Sequence, residues 1–113
     1  MAFAINEETL EITGRQGDTF VGEYTFSEVT LTEDDVVTFA VRTNEYSENK
    51  IVEKSYNGIT DNVFTPELTK EETAEISKGD YIYDISIVFA DSGERNTVVE
   101  SKKFTIGGVV HDV

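Results

Sequence analysis

Cysteine is absent from this sequence. Its absence excludes a disulfide framework, a thiolate metal site and a cysteine nucleophile, and so rules out a disulfide-stapled secreted module. Basic residues are scarce: nine Lys and Arg stand against 23 Asp and Glu, a formal net charge of −14 with a pI near 4.2. Such a surface repels phosphate backbones and anionic headgroups, so neither nucleic acid nor a membrane surface is an expected partner. The N-terminal MAFAINEETLEI has no basic leader and no long apolar run, so no signal peptide or membrane span is expected. No Asn-x-Ser/Thr acceptor occurs either. The expected compartment is the cytoplasm of the producing cell, which includes particles assembled there that later leave it.

The Gly-rich phosphate and dinucleotide motifs and the G-x-S-x-G elbow are missing as well. Histidine occurs once, at His111 in the Gly-rich tail GGVVHDV. A catalytic triad or metal site needs that ring fixed by neighbours, which a chain end does not provide. Proline also occurs once, at Pro66, where it marks a strand end or an edge.

What is present is enough for a core. Among 113 residues, 38% are hydrophobic, with seven Phe and five Tyr, and a chain of this length buries about two-thirds of its unfolded surface in one domain. Apolar residues alternate with polar ones along most of the chain, the period of half-buried strands. Short strands are expected at 9–13 (TLEIT), with 2–5 as an earlier candidate, and at 18–26 (DTFVGEYTF), where Phe20, Tyr24 and Phe26 share a face and Gly22 marks a bulge or close approach. The turn GRQGD at 14–18 separates them, and the polar stretch 27–35 reads as a connection. Residues 36–43 (VVTFAVRT) form the clearest strand, with Val37, Phe39 and Val41 inward and Thr38, Ala40 and Arg42 outward. Residues 51–56 and 63–68 read as a hairpin turned by NGITDN at 57–62.

One helix is predicted after Leu68. Thr69 and Glu72 form a capping box, acids occupy the first turn, Lys78 lies near the last, and Gly79 supplies the left-handed stop. About two turns are expected, with Ala74 and Ile76 as the apolar contacts. The strand 81–89 (YIYDISIVF) follows, with Tyr81, Tyr83, Ile85, Ile87 and Phe89 on one face, and ADSGER turns it into 96–106. Parity shifts after Val99, which predicts a bulge or an exposed Val99. The fold class is therefore all-β, an immunoglobulin-like β-sandwich of about seven strands with one short helix between strands, spanning 1–106 and followed by a flexible tail at 107–113. Tryptophan is absent along with cysteine, so this is not an antibody-type domain.

Candidate chemistry is thin. The pairs Glu7–Glu8, Asp34–Asp35 and Glu71–Glu72 invite a carboxylate mechanism, but adjacent acids are expected by chance among 23, and Glu71–Glu72 already serves the helix start. No EF-hand spacing occurs. NGITDN and ADSGER offer too few oxygens for calcium, leaving loop 32–35 as the weak surface alternative. Tyr46 and Tyr56 are candidates for an interaction surface, whereas Tyr81 and Tyr83 read as sheet packing. Asp84, between Tyr83 and Ile85, is expected to face outward, solvated or paired with Lys102 or Lys103, so that Asp84→Asn changes stability slightly.

Taken in order, RQGDT at 15–19, VVTFAVRT at 36–43, FTPELTKEETA at 64–74, KGDYIYDI at 78–85 and KFTI at 103–106 resemble the N-terminal immunoglobulin-like domain of phage baseplate upper proteins, a type found in structural proteins of Firmicutes phages and prophages. The resemblance covers about Gly14 to Ile106. It implies a non-catalytic structural module, with no cofactor and no catalytic residue, that docks onto other tail or baseplate proteins or onto a second copy during virion assembly, first in the bacterial cytoplasm and then in the virion. The long C-terminal region by which that family contacts a receptor-binding protein has no counterpart here. The reading from the residues alone keeps two further classes open: a carbohydrate-binding sandwich assisted by calcium, and a small hydrolase with two carboxylates.

Overall fold

The structure is a computed structural model and describes residues 3–27, 29–44 and 50–107. Along the chain the elements are β1 (Ala4–Ile5), β2 (Ile12–Arg15), β3 (Phe20–Val21), β4 (Tyr24–Thr25), β5 (Val36–Arg42), β6 (Lys50–Tyr56), β7 (Val63–Phe64), β8 (Glu67–Leu68), α1 (Lys70–Ala74), β9 (Gly79–Val88) and β10 (Arg95–Gly107). The protein is mostly β, and its layers are those of a sandwich-like fold. Ten strand segments replace the expected seven or so because several are only two residues long. The main sheet has six strands in the order β1, β2, β10, β9, β5, β6. Its pairs are antiparallel except β2 with β10, which run parallel from Ile12 opposite Phe104 to Arg15 opposite Gly107.

The second layer is a ribbon. β3 pairs with β8 and β4 with β7, and both pairs share one register: Phe20 opposite Leu68, Val21 opposite Glu67, Tyr24 opposite Phe64, Thr25 opposite Val63. Between them the Gly22 N–H donates to the Pro66 carbonyl at 2.9 Å, and beyond them the Phe26 N–H donates to the Asn62 carbonyl at 2.9 Å. Segments 20–26 and 62–68 are thus a single antiparallel ribbon, interrupted where Pro66 has no N–H to return. Gly22 sits against this gap because a Cβ there would lie 3.0 Å from the Phe20 ring and 3.1 Å from the Tyr24 ring.

Alternation sorts the core as expected. Phe20, Tyr24, Phe26, Phe64 and Leu68 of the ribbon face Val37, Phe39 and Val41 of β5, Tyr83, Ile85 and Ile87 of β9, and Phe104 and Ile106 of β10, and all are buried. Rings interlock at its centre, with Phe20 stacked on Phe39 at 5.6 Å and Phe39 against Tyr83 at 5.4 Å, a geometry that adds to the burial term. On the opposite face Thr38 and Ala40 are also buried, since they are short side chains between two flanking strands and Thr38 Oγ1 bonds Ser55 Oγ at 2.9 Å.

Several sequence expectations need correction. Residues 57–62 do not turn a hairpin: β6 belongs to the main sheet and β7 to the ribbon, so this segment carries the chain between layers. Gly58, at φ +76°, donates its N–H to the Glu33 carbonyl, which draws the segment toward loop 29–35 instead of closing a tight turn. The helix is one short turn, not two. The capping box of Thr69 and Glu72 is present, but α1 ends at Glu75, and Gly79 opens β9 opposite Ile106. Its buried residue is Thr73, while Ala74 is exposed. Thr73 Oγ1 donates to the Asp18 carbonyl and accepts from the Gly17 N–H, so a polar clip joins the expected apolar contact of Ile76, which is buried in the core. β2 begins at Ile12 and runs through Gly14 to Arg15, beyond the expected end at Thr13.

The β9–β10 hairpin is present, and its register shifts twice, between Thr97 and Val99 and between Val99 and Lys102. The expected bulge is real, and Val99 is buried by it. β10 runs on through Gly107; the rest of the tail, with His111, lies outside the described residues, as does Tyr46.

A Cβ added at Gly14 would overlap the Phe3 ring, which packs on Phe20 and Phe104 at 5.4 and 5.8 Å. Gly14→Ala is expected to displace that ring and cost about 1–3 kcal/mol, the range for overpacking. Urea unfolding checks the loss, and faster amide exchange along β1 locates it.

Candidate functional site

The paired acids are placed by structural needs. Glu71 and Glu72 lie in the first turn of α1, and Glu72 accepts from Lys54 Nζ at 2.6 Å and from the Thr69 N–H at 2.8 Å. Lys54, then the Thr69 N–H, holds its carboxyl below the ordinary range. Asp34 and the Glu7–Glu8 pair are exposed. Asp35, by contrast, is buried, with Oδ1 accepting from the Ala90 N–H and Oδ2 from the Thr32 N–H, both at 2.8 Å. Those two donors, Ala90 first, hold its carboxyl below the usual carboxylate range. Its lone pairs tie loop 32–35 to the turn after β9, so the weak calcium candidate at this loop has its best ligand engaged elsewhere. Among the described residues no cluster of three or more metal-ligating side chains forms.

Tyr83 packs in the core of the sheet, as expected, whereas Tyr56 is bound to the fold. Tyr56, nominated for a surface role, has its hydroxyl on the Glu67 backbone, accepting from the N–H at 3.1 Å, which ties edge strand β6 to the ribbon. Tyr81 donates to the Ser77 carbonyl four residues upstream at 2.6 Å, a brace across the corner between α1 and β9. Tyr24 and Tyr83 share a buried hydroxyl bond of 2.9 Å, and Tyr83 donates onward to the Leu10 carbonyl. Burial raises both phenols above the ordinary value, Tyr83 further because its neighbour is a second phenol. Neither is poised to ionise near neutral pH.

Asp84 faces away from the core, as expected, but it pairs neither with Lys102 nor with Lys103. Arg42 of β5 donates to Oδ2, through Nε at 3.0 Å and through Nη2, and the Ser101 N–H donates to Oδ1 at 2.7 Å. The double bulge in β10 is the reason: it places Lys102 opposite Tyr83 and turns the Ser101 amide toward Asp84, with Ser101 at φ +51°. Asp84 therefore holds a strained backbone in place.

A cleft of about 770 Å³ lies between the ribbon and β10. Tyr24 and Phe26 line it from the ribbon, Val98 and Val99 from β10, and Leu10 and Val29 from the loops, with Glu7 and Glu23 among its acidic residues. Two strand edges flank it. β2 pairs with β10 only from Phe104 onward, so residues 95–103 have no strand on that side, and segment 23–27 has none opposite 62–68 among the described residues. In an antiparallel ladder the amides alternate in direction. Gly22 and Phe26 donate into the ribbon, so the Glu23 and Thr25 N–H groups point out toward the open edge. Sequence reasoning missed this cleft because it depends on which strand segments go unpaired, and period-2 patterning does not encode neighbours.

No family model, no curated protein and no solved structure matches the chain.

Two outcomes follow from the half-buried Asp84 and the buried Asp35. Replacing Asp84 by Asn is expected to cost about 2 kcal/mol, in the range for hydrogen bonds to a charged group, and not the slight change read from sequence; thermal and urea unfolding measure it. Asp35 has a folded-state pKa below its unfolded value of about 3.9. Its stabilisation is present above that value and is lost as pH falls through the lower folded one. The urea midpoint of the native chain should drop across this acid range, and that of Asp35→Asn should drop less.

Proposed function

We propose that this domain is a non-catalytic protein–protein interaction module of a phage or prophage tail or baseplate, built on an immunoglobulin-like sandwich, and that it serves virion assembly by docking onto neighbouring tail or baseplate proteins. The observation that carries the docking role is the pair of strand edges at the cleft that have no neighbouring strand among the described residues. An unpaired edge is a template for another chain, and proteins that do not use one blunt it with charge, proline or a covering loop. The opposite edge of the main sheet, β6, is treated in that way. It carries Lys50, Glu53 and Lys54, with Lys50 on Glu53 and Lys54 on Glu72, and Tyr56 binds it to the ribbon. Along the edge at the cleft, the charge of segment 20–26 is Glu23 alone, on the outward face, and among the described residues no proline or covering strand lies over the side of Tyr24 and Phe26.

Support for a non-catalytic role comes from how the candidate groups are used. Asp35, Glu72, Asp84, Tyr24 and Tyr83 each have their polar atoms bonded to the fold itself. The tail or baseplate setting rests on the ordered resemblance from Gly14 to Ile106. The acidic surface fits an assembly partner with basic character better than a nucleic acid or an anionic membrane.

Mass spectrometry of gradient-purified particles from a strain carrying this gene tests the setting. The chain should be recovered in fixed stoichiometry with tail proteins. Particles that assemble fully and lack it would contradict the proposal.

A further inference from the structure

Resting on the interaction-module reading, we infer that the cleft takes an extended segment of a partner protein, apolar at alternate residues with Lys or Arg between them, which adds beside segment 20–26 as a third strand of the ribbon. The backbone supplies the first half of the match. The outward Glu23 and Thr25 amides are regularly spaced donors with no partner among the described residues, and an added strand pairs with them.

Side chains supply the second half. Every other residue of an added strand points inward, over Leu10, Tyr24, Phe26, Val98 and Val99, where apolar groups fill the cleft. The intervening residues point outward, on the face that carries Val21, Glu23 and Thr25, all of them exposed. Cations there meet Glu23 across the strands, and Glu7 lines the same cleft, which has no Lys or Arg in its lining. A second copy of the chain is a poorer occupant because it brings another net −14 to an already acidic rim. The need is also architectural: two ribbon strands face a six-stranded sheet, and the cleft lies where the second layer stops.

The test uses the full chain and a fluorescent synthetic peptide of alternating Val and Lys, about nine residues long, a typical strand with overhang, followed by anisotropy. Saturable binding is expected, weakened about tenfold or more by Glu23→Lys and lost when Glu replaces Lys in the peptide. A peptide N-methylated on the amides that face segment 20–26 tests the backbone pairing with the protein unaltered, and it should fail to bind. A Ser–Lys peptide of equal charge that binds as well would reduce the effect to charge adhesion and overturn the inference. So would unchanged binding to Glu23→Lys, or a dimer in sedimentation that buries the cleft. If the Val–Lys peptide fails to bind while the chain is still found in purified particles, the cleft assignment falls and the interaction reading stands; absence from the particles removes the reading itself.

Discussion

The ribbon of segments 20–26 and 62–68 is what turns a six-stranded sheet into a two-layered core. Three large rings on the sheet's inner face meet it directly: Phe39 and Phe104 pack on Phe20, and Tyr83 packs on Tyr24. Its register is held at three places. Gly22 brings its backbone to Pro66, Phe26 donates to Asn62, and the Asn62 side chain, on a left-handed backbone at φ +61°, gathers the carbonyls of Phe26 and Val29 and the Leu31 N–H. A slip of one residue would turn one strand's set, Phe20 and Tyr24 or Phe64 and Leu68, out of the core. The same ribbon, being only two strands wide, leaves the sheet's β10 side open, and so the constraint that makes the core also makes the cleft.

Polar groups inside this structure act as spacers and ties. The Tyr24–Tyr83 bond places two phenols in an apolar layer and passes the last proton to Leu10, whose own backbone is left-handed at φ +66°. Asp84 performs the analogous task on the outer face, holding the bulge at Ser101 while Arg42 compensates its charge. Asp35 joins two loops at one end of the sandwich, and Thr73 joins α1 to the turn at Gly17 and Asp18 at another place on the fold. Each is a buried or half-buried polar side chain with its bonds made, as the cost of an unpaired group requires.

Much of the fold was legible because it is written in period-2 burial. The inward sets of β5 and β9, the ribbon rings, the capping box at Thr69 and the parity break near Val99 all follow from alternation or from a local motif, and both are properties of short stretches. What failed was pairing. Asn57–Gly58 is a strong local hairpin signal, yet Gly58 bonds to Glu33, because strands 50–56 and 63–68 serve different layers and tertiary demand overrides the turn. Asp84 was read correctly as outward and wrongly partnered, since its partner depends on β5 being the neighbour of β9 and on two register shifts in β10. The cleft was illegible for the same reason: an edge exists only by virtue of a strand that is not there.

Amide hydrogen exchange of the free chain, read residue by residue, tests this account most directly. Gly22 and Phe26 should be protected by their bonds across the ribbon, while Glu23 and Thr25, between them, exchange quickly from the open edge. Protection at Glu23 and Thr25 equal to that of Gly22 and Phe26 would mean that the edge is already covered, and would contradict the claim that the second layer ends there.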